Sequence, residues 1–263
     1  MLIGKFNTLQ FLEDKTLQRW DNADNKQLYF YFLEQTIPAF VFVSDTAQST
    51  ATVQLFNKIT EVAVGAAQSV TITTSGTKKI LSYAGVTLPA TGLDCGSFYL
   101  KIVTGASVET YYSQVFGWVN TATANSATSN LLKITAVSSN ISLSNLYTIP
   151  LTGITYSCYI ETEQPVEDAD ITEEGNEKPY GDIPVFNTLA FTYEHEIFGT
   201  KDIFRFLCGL RILKTNGTIT FTYRGVDIHA YDITCEKDDS TEDTMSMKLK
   251  YKDTDYISSS NEI

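Results

Sequence analysis

The strongest structural signal in this chain is GSFYLKIVTGASVETYYSQVFGW, residues 96–118. Two runs rich in aromatic and β-branched residues, which favour strands, flank the turn Thr104-Gly105-Ala106-Ser107. Two such runs around a short turn predict a β-hairpin. Because side chains alternate along a strand, we expect Phe98, Leu100 and Ile102 to share one face of the first strand. The hairpin carries no nucleophile, metal-ligand cluster or phosphate loop, so it predicts a fold and no chemistry.

The second strand of this hairpin supplies candidate contact residues. Alternation predicts Tyr112, Phe116 and Trp118 on one face, with Tyr111 and Val115 opposite. Tyrosine is favoured at protein–protein interfaces, while packing across strands and stacking on sugars are the alternative roles of such rings. The candidate interface residues are four aromatics: Tyr111, Tyr112, Trp118 and Trp20.

The composition indicates a soluble, acidic and mostly β protein. The chain has 263 residues, 43% of them hydrophobic, which is enough for one large β domain or two smaller ones. Its 31 acidic and 19 basic residues give a net charge of −12. Phosphate backbones and anionic membranes are bound through Lys and Arg clusters, so we expect neither nucleic acid nor a membrane as a partner.

The spacing of strand-like runs predicts a mainly β fold in which an antiparallel β-sandwich module is followed by a second β-rich module with one packed α-helix. Strand patterns recur every 8–15 residues with turn residues between them, as in sandwiches. We predict three parts: residues 1–165 as an N-terminal arm and β-sandwich module, 166–182 as an acidic connector, and 183–263 as the second module.

The predicted helix covers residues 202–213 in the second module. Thr200 suits the N-cap, and Asp202 suits the first turn. Apolar residues recur at helical spacing and predict a buried face. That face consists of Ile203, Phe206, Leu207 and Leu210.

The stretch ETEQPVEDADITEEGNEKPYGD, residues 161–182, contains nine acidic residues and one lysine. We interpret it as a solvated connector or loop. A calcium loop starting at Asp168 is one alternative, but Gly175 and Pro179 do not fit the EF-hand spacing. A pair of catalytic carboxylates is another alternative, and it needs two carboxyl groups facing each other across a cleft.

Few residues suggest other chemistry. The four cysteines form no C-x-x-C pair, which favours buried thiols over a zinc site. His195 and His229 are the only histidines, and no phosphate-binding loop or G-x-S-x-G motif is present. We therefore predict no enzymatic activity, no cofactor and no metal. The N-terminus lacks the apolar core of a secretory signal, so we expect the protein in the cytoplasm unless it leaves within a larger particle.

Several segments resemble virion and prophage tail proteins of phages that infect Bacteroidetes, including crAss-like phages. The resemblance covers residues 25–255 loosely. It departs at the turn 104–107, where Asp-Gly is more usual. Its motifs are Phe98-Tyr99-Leu100-Lys101-Ile102, Thr110-Tyr111-Tyr112-Ser113-Gln114-Val115-Phe116, Leu131-Leu132-Lys133-Ile134, Glu173-Glu174-Gly175 with Gly181 and Pro184, and Leu207-Cys208-Gly209-Leu210-Arg211-Ile212-Leu213.

This resemblance implies a non-enzymatic structural protein of the virion, assembled in the host cytoplasm. Its expected partners are copies of itself in a symmetric ring and other neck or tail proteins. An acidic surface also suits a channel through which DNA passes, because it limits adhesion. The alternatives are a carbohydrate-binding or adhesin β-sandwich and a hydrolase that uses two carboxylates.

Overall fold

Four sheets and two helices make up the described part of the chain in a computed structural model. The structure describes residues 2–3, 7–17, 30–44, 48–89, 92–93, 95–105, 108–138, 155–175, 185–215, 217–228, 230–240, 244–253 and 257–260. The mainly β fold is confirmed.

The first fifteen strands span the predicted first module, and seven more follow. In chain order they are β1 (Leu2–Ile3), β2 (Phe11–Leu12), β3 (Tyr31–Leu33), β4 (Thr36–Ile37), β5 (Phe40–Ser44), β6 (Ala51–Asn57), β7 (Ala63–Ser69), β8 (Thr71–Ser75), β9 (Lys78–Tyr83), β10 (Val86–Thr87), β11 (Gly96–Thr104), β12 (Thr110–Ser113), β13 (Phe116–Val119), β14 (Leu131–Ser138) and β15 (Thr155–Glu161). The later strands are β16 (Val166–Gly175), β17 (Val185–Thr200), β18 (Gly217–Tyr223), β19 (Val226–Ile228), β20 (Ala230–Ser240), β21 (Thr244–Asp253) and β22 (Ile257–Ser260). The helices are α1 (Thr121–Ala124) and α2 (Lys201–Thr215), and a 3-10 turn covers Lys15–Leu17.

The predicted hairpin lies at the centre of the largest sheet. Strand β11 pairs antiparallel with β12, placing Ile102 opposite Tyr111, and with β13, placing Phe98 opposite Phe116. On its other edge β11 pairs with β6 over seven positions. The sheet has eleven strands in the order β19-β18-β14-β15-β3-β13-β11-β12-β2, with β6 and β7 beside β11. The pairing of β13 with β3 is parallel, whereas the prediction was fully antiparallel.

The predicted alternation along the second hairpin strand is wrong. Gln114 and Val115 interrupt the strand, and the interruption reverses which residues point inward. Tyr111 therefore joins Phe116 and Trp118 in the hydrophobic core, while Tyr112 stays half-exposed. A two-residue break between strands leaves no signal in the apolar pattern, because both sides of it are rich in aromatics.

A four-stranded sheet of order β1-β5-β9-β8 packs against the large sheet. Phe40 and Phe42 of β5 lie 5.0 and 5.8 Å from the ring of Phe11 on β2. Phe42 also meets Tyr111 of β12 edge-on at 5.6 Å. Aromatic side chains from two facing sheets thus fill one core, as in a sandwich.

The five-stranded sheet corrects the prediction of an acidic connector. Residues 166–175 form β16, which pairs antiparallel with β17 over ten positions. Strand β17 has sixteen residues, so it is roughly 50 Å long. The acidic residues misled the prediction because an outer strand tolerates charges that a central strand does not. Residues 176–182 of the predicted connector lie outside the described residues.

The sheets also cross the predicted boundary between modules. Strand β18, from the second module, pairs with β14 of the first over seven positions. The hairpin β18–β19 therefore extends the large sheet, while β20 and β21 pair with each other beside β17. Pairing between strands about 80 residues apart cannot be read from local patterns.

Helix α2 covers Lys201–Thr215, so the predicted helix 202–213 is confirmed with slightly longer ends. All four residues of its predicted inner face are buried in the core: Ile203, Phe206, Leu207 and Leu210. Phe206 meets Phe30 edge-on at 5.3 Å, and Asp202 accepts a hydrogen bond from the Gln114 side chain at 2.7 Å. The helix therefore packs against both the first module and the second. None of the described helices is long and apolar enough to span a membrane.

Replacing Phe116 by alanine should lower the free energy of unfolding by about 3–5 kcal/mol, because this ring is fully buried and the change leaves a cavity. Phe198→Ala is the matched control. Its ring is 50% exposed, so we expect a loss below about 1 kcal/mol. Urea unfolding of both variants measures the difference, and equal losses would contradict the described core.

Candidate functional site

The structure does not bring the predicted interface residues together on a surface. Tyr111 is 4% exposed and donates its hydroxyl to Glu109. Trp118 is 3% exposed, and its indole N–H donates to the carbonyl oxygen of Thr36 at 3.0 Å. Both are core residues, so neither can serve as an exposed anchor. Tyr112 is half-exposed, and Trp20 lies outside the described residues.

Two strand edges are the longest candidate surfaces for assembly. Within the described residues, β16 pairs only with β17, and β20 pairs only with β21. Each therefore has one edge whose backbone N–H and C=O groups can accept another strand. Where exposure is known, the exposed charged residues are Glu167 and Asp168 on β16, and Asp232, Glu236 and Lys237 on β20, so both edges carry a net negative charge.

An open cleft of about 1130 Å³ lies where the large sheet meets the five-stranded sheet. Three carboxylates line it: Glu161 at the end of β15, Glu163 just after it, and Glu196 on β17. No lysine or arginine is among its described lining residues. Phe198 also lines the cleft and offers the largest exposed aromatic surface there.

Local hydrogen bonds hold the walls of this cleft. Tyr31 donates its hydroxyl to Glu161 at 2.8 Å, and the Ser246 hydroxyl donates to Glu196 at 3.0 Å. Asn120 is the N-cap of α1, where its side-chain oxygen accepts from the backbone N–H of Thr123 at 2.8 Å. The walls thus present carboxylates, hydroxyls and amides, which suit a polar ligand.

A buried hydrogen-bond network lies beside the cleft, at the seam where the large sheet meets the five-stranded sheet. His195 of β17 is fully buried, with its Nδ1 atom 3.1 Å from the Thr162 hydroxyl and its Nε2 atom 2.8 Å from the Tyr251 hydroxyl. The Thr162 hydroxyl also lies 2.9 Å from the carbonyl oxygen of Glu163 and 3.1 Å from that of Glu196. One network therefore ties the crossover after β15 to β17 and β21.

The hydrogen-bond partners assign the proton on this histidine. The Thr162 hydroxyl has one proton, which it donates to a backbone carbonyl, so its oxygen accepts from His195 Nδ1–H. Nε2 is then an acceptor, and it receives the proton of the Tyr251 hydroxyl. Burial lowers the pKa of His195 from 6.5 to about 4, which keeps the ring neutral near pH 7.

A second cavity, of about 310 Å³, opens on the other side of this network. Its walls include Tyr193, His195 and Tyr251, whose rings stack on one another at 5.6 Å. Phe221 covers the ring of Tyr251 at 4.1 Å. The stacked rings cover one another, so the cavity offers little free aromatic face for a ligand.

Sequence reasoning missed the residues of this seam. It noted His195 but gave it no partners, since Thr162 and Tyr251 lie 33 and 56 residues away. It placed Glu161 and Glu163 in a loop and gave Glu196 no role. The local sequence pattern does not say which strand ends meet in the fold.

Comparison with protein family models, with curated proteins and with solved structures found no match to the chain. Within the part of the chain that the structure describes, no three His, Cys, Asp or Glu side chains are grouped as ligands of a metal ion.

The buried histidine predicts acid sensitivity. The folded pKa is below the unfolded one, so the unfolded state takes up the proton first, and stability falls as pH drops from about 6.5 towards 4. Between about pH 7.5 and pH 5, this one group should remove roughly 2 kcal/mol from the free energy of unfolding.

The variant His195→Gln should lose this part of the pH dependence, while His229→Gln, at the other histidine of the chain, should keep it. Urea unfolding at both pH values measures the slope for each protein. A slope that is unchanged in His195→Gln would show that His195 is already accessible to protons in the folded state.

Proposed function

We propose that the chain is a non-enzymatic structural subunit of a phage particle, forming part of a neck or tail ring with copies of itself and with other tail proteins. The observation that carries this proposal is the pair of open edges on the five-stranded sheet, at β16 and β20. An edge strand of one copy can pair with the opposite edge strand of the next. A contact between two different edges is heterologous, and repeating it around an axis closes a ring.

Charged residues on the two edge strands should regulate this assembly. Glu167 and Asp168 on one edge would face Asp232 and Glu236 on the other. Lys237 offsets only one of the two negative charges on β20, and like net charges on two edges oppose strand pairing. Such charges keep free subunits apart. Salt screens charges over about 8–10 Å at physiological strength, and the screening increases with salt concentration. The resemblance of the hairpin motifs to phage tail proteins supports the same proposal.

Assembly should therefore increase with salt. Sedimentation velocity of the purified protein at low and high sodium chloride should show growth of one defined oligomer as salt rises. The variant Glu167→Gln/Asp168→Asn should assemble at a lower salt concentration than the natural protein. Glu13→Gln/Glu34→Gln, which changes the net charge equally away from both edges, should assemble like the natural protein.

The place of the protein in the particle is tested separately. Mass spectrometry of purified phage particles should detect the chain at a fixed ratio to the capsid protein, and electron microscopy of the oligomer should show a ring. A chain that stays monomeric at every salt concentration and is absent from particles would rule out this function.

The cleft favours one second candidate, a carbohydrate-binding module. Phe198 is exposed beside Glu161 and Glu196, and an aromatic face next to hydrogen-bonding carboxylates suits a sugar ring. The buried Trp118, which the sequence suggested as a sugar platform, cannot serve in that way.

A glycan array separates the two candidates. If the protein is a ring subunit only, no glycan should bind it specifically. Glycans that bind the natural protein but not Phe198→Ala would instead favour the carbohydrate-binding candidate. Ile59→Ala is the matched control, since Ile59 is 72% exposed, lies on neither open edge strand and is not among the residues that line the cleft. Binding that survives in Phe198→Ala would exclude this cleft as the sugar site.

A further inference from the structure

The smaller cavity, of about 310 Å³, lies between the five-stranded sheet and the hairpin β18–β19. The strand register forms its two walls. On one wall Glu167 of β16 lies opposite Tyr193 of β17, which in turn lies opposite Tyr251 of β21. On the other wall Tyr223 of β18 lies opposite Val226 of β19. A cavity of this volume is at the lower end of the range for ligand pockets, so it suits a small molecule.

One tyrosine in the wall of this cavity carries a buried hydroxyl group. The hydroxyl oxygen of Tyr223 forms no hydrogen bond with any residue that the structure describes. A buried hydroxyl without a partner costs free energy, so such groups are uncommon in native proteins. A ligand oxygen that accepts from this hydroxyl would remove that cost.

Arg224 adds a positive charge to the same wall. Its guanidinium group lies over the ring of Tyr223, 4.9 Å from the ring centre, and its Nε–H donates to the carbonyl oxygen of Ser129 at 3.2 Å. These two contacts orient the group, and its terminal N–H groups have no acceptor among the described residues. Because the planar guanidinium can bind a carboxylate through two parallel hydrogen bonds, Arg224 and the Tyr223 hydroxyl together suit one carboxylate group.

The turn that holds Arg224 does not itself call for an arginine. Arg224 has a φ of 50° and Gly225 a φ of 83°. A two-residue hairpin turn with both residues at positive φ favours Asn followed by Gly, since these residues adopt that conformation at little cost. Larger residues held at positive φ are concentrated at functional sites. The turn geometry therefore leaves the arginine unexplained, whereas binding of an anion accounts for it.

The rest of the lining adds a negative charge and an aliphatic surface. Glu167 is exposed on the opposite wall and forms no ion pair with a described residue. Ile228 is buried and Val226 is 64% exposed, so together they extend from the interior of the cavity to its mouth. One cationic group, one anionic group and an aliphatic surface in a small cavity complement a small zwitterion with an apolar side chain.

We propose that this cavity binds a free α-amino acid with an apolar side chain. The carboxylate of the amino acid accepts hydrogen bonds from the Arg224 guanidinium and the Tyr223 hydroxyl. Its ammonium group lies beside the Glu167 carboxylate, and its side chain packs on Val226 and Ile228. The site is separate from the acidic cleft, and it does not depend on the assembly of a ring.

Isothermal titration calorimetry of the purified full-length protein at neutral pH tests binding directly. Leucine, valine, phenylalanine and methionine are the probes, and at least one of them should bind and raise the unfolding temperature. The amide and N-acetyl forms of the tightest probe lack the carboxylate and the ammonium charge, respectively. Losing the carboxylate should weaken binding by about tenfold or more, and losing the ammonium charge by roughly 2–5-fold, because an exposed ion pair contributes less than a charged hydrogen bond.

Variants at the two charged residues have matched controls. Arg224→Gln should weaken binding by about tenfold or more. Arg205→Gln, which changes an exposed arginine on α2, should bind like the natural protein. Glu167→Gln should abolish the preference for the amino acid over its N-acetyl form, whereas Glu13→Gln, at an exposed glutamate that does not line the cavity, should keep that preference.

Tyr223→Phe separates a role in binding from a role in folding. The variant should bind the amino acid about tenfold more weakly, yet its unfolding temperature should not fall, because the hydroxyl has no partner among the described residues. Tyr83→Phe removes another buried hydroxyl that has no described partner and does not line the cavity, and it should bind like the natural protein.

Three results would overturn the assignment. The first is the absence of binding for all four amino acids at millimolar concentration. The second is binding that is unchanged in both Arg224→Gln and Tyr223→Phe. The third is an N-acetyl form that binds as tightly as its parent amino acid, since the ligand would then be a simple carboxylate such as a chain terminus. A chain that forms no ring and is absent from particles would overturn the proposed function without affecting this site.

Discussion

Backbone N–H and C=O groups at the rim of a sheet need partners, and this requirement shapes the molecule. The large sheet meets it for its inner strands by recruiting strands from distant parts of the sequence, so that β14 pairs with β15 on one side and β18 on the other. The longest open edges among the described residues belong to the five-stranded sheet, where β16 has ten residues and β20 has eleven. The net negative charge on both edges makes them repel each other until salt screens that charge.

The hydrogen bonds of His195 hold the large sheet and the five-stranded sheet in a fixed orientation. A neutral imidazole with both nitrogens hydrogen-bonded can be buried, whereas a buried unpaired one would cost free energy. Thr162, at the crossover between the sheets, supplies one partner, and Tyr251 supplies the other. The cleft and the smaller cavity lie on either side of this network, so the same contacts that stabilise the seam also shape both concave surfaces.

The local features of the fold could be predicted from the sequence, because they depend on neighbouring residues. Two strand-like runs around a short turn predicted the central hairpin, and the helical spacing of apolar residues predicted α2. Both elements are present in the structure.

The candidate surfaces could not be predicted, because each depends on distant residues. Tyr111 and Trp118 were chosen as contacts for their residue type, yet a two-residue break turned Tyr111 inward and the sandwich covered Trp118. The acidic composition after β15 suggested a connector, but this segment forms strand β16, which pairs with β17.

Cryo-electron microscopy of the salt-induced oligomer is the decisive measurement for these surfaces. We expect a closed ring in which β16 of one copy pairs with β20 of the next and the five-stranded sheets run on continuously. An oligomer in which both edges remain open to solvent, with contacts made elsewhere, would contradict edge pairing as the basis of assembly.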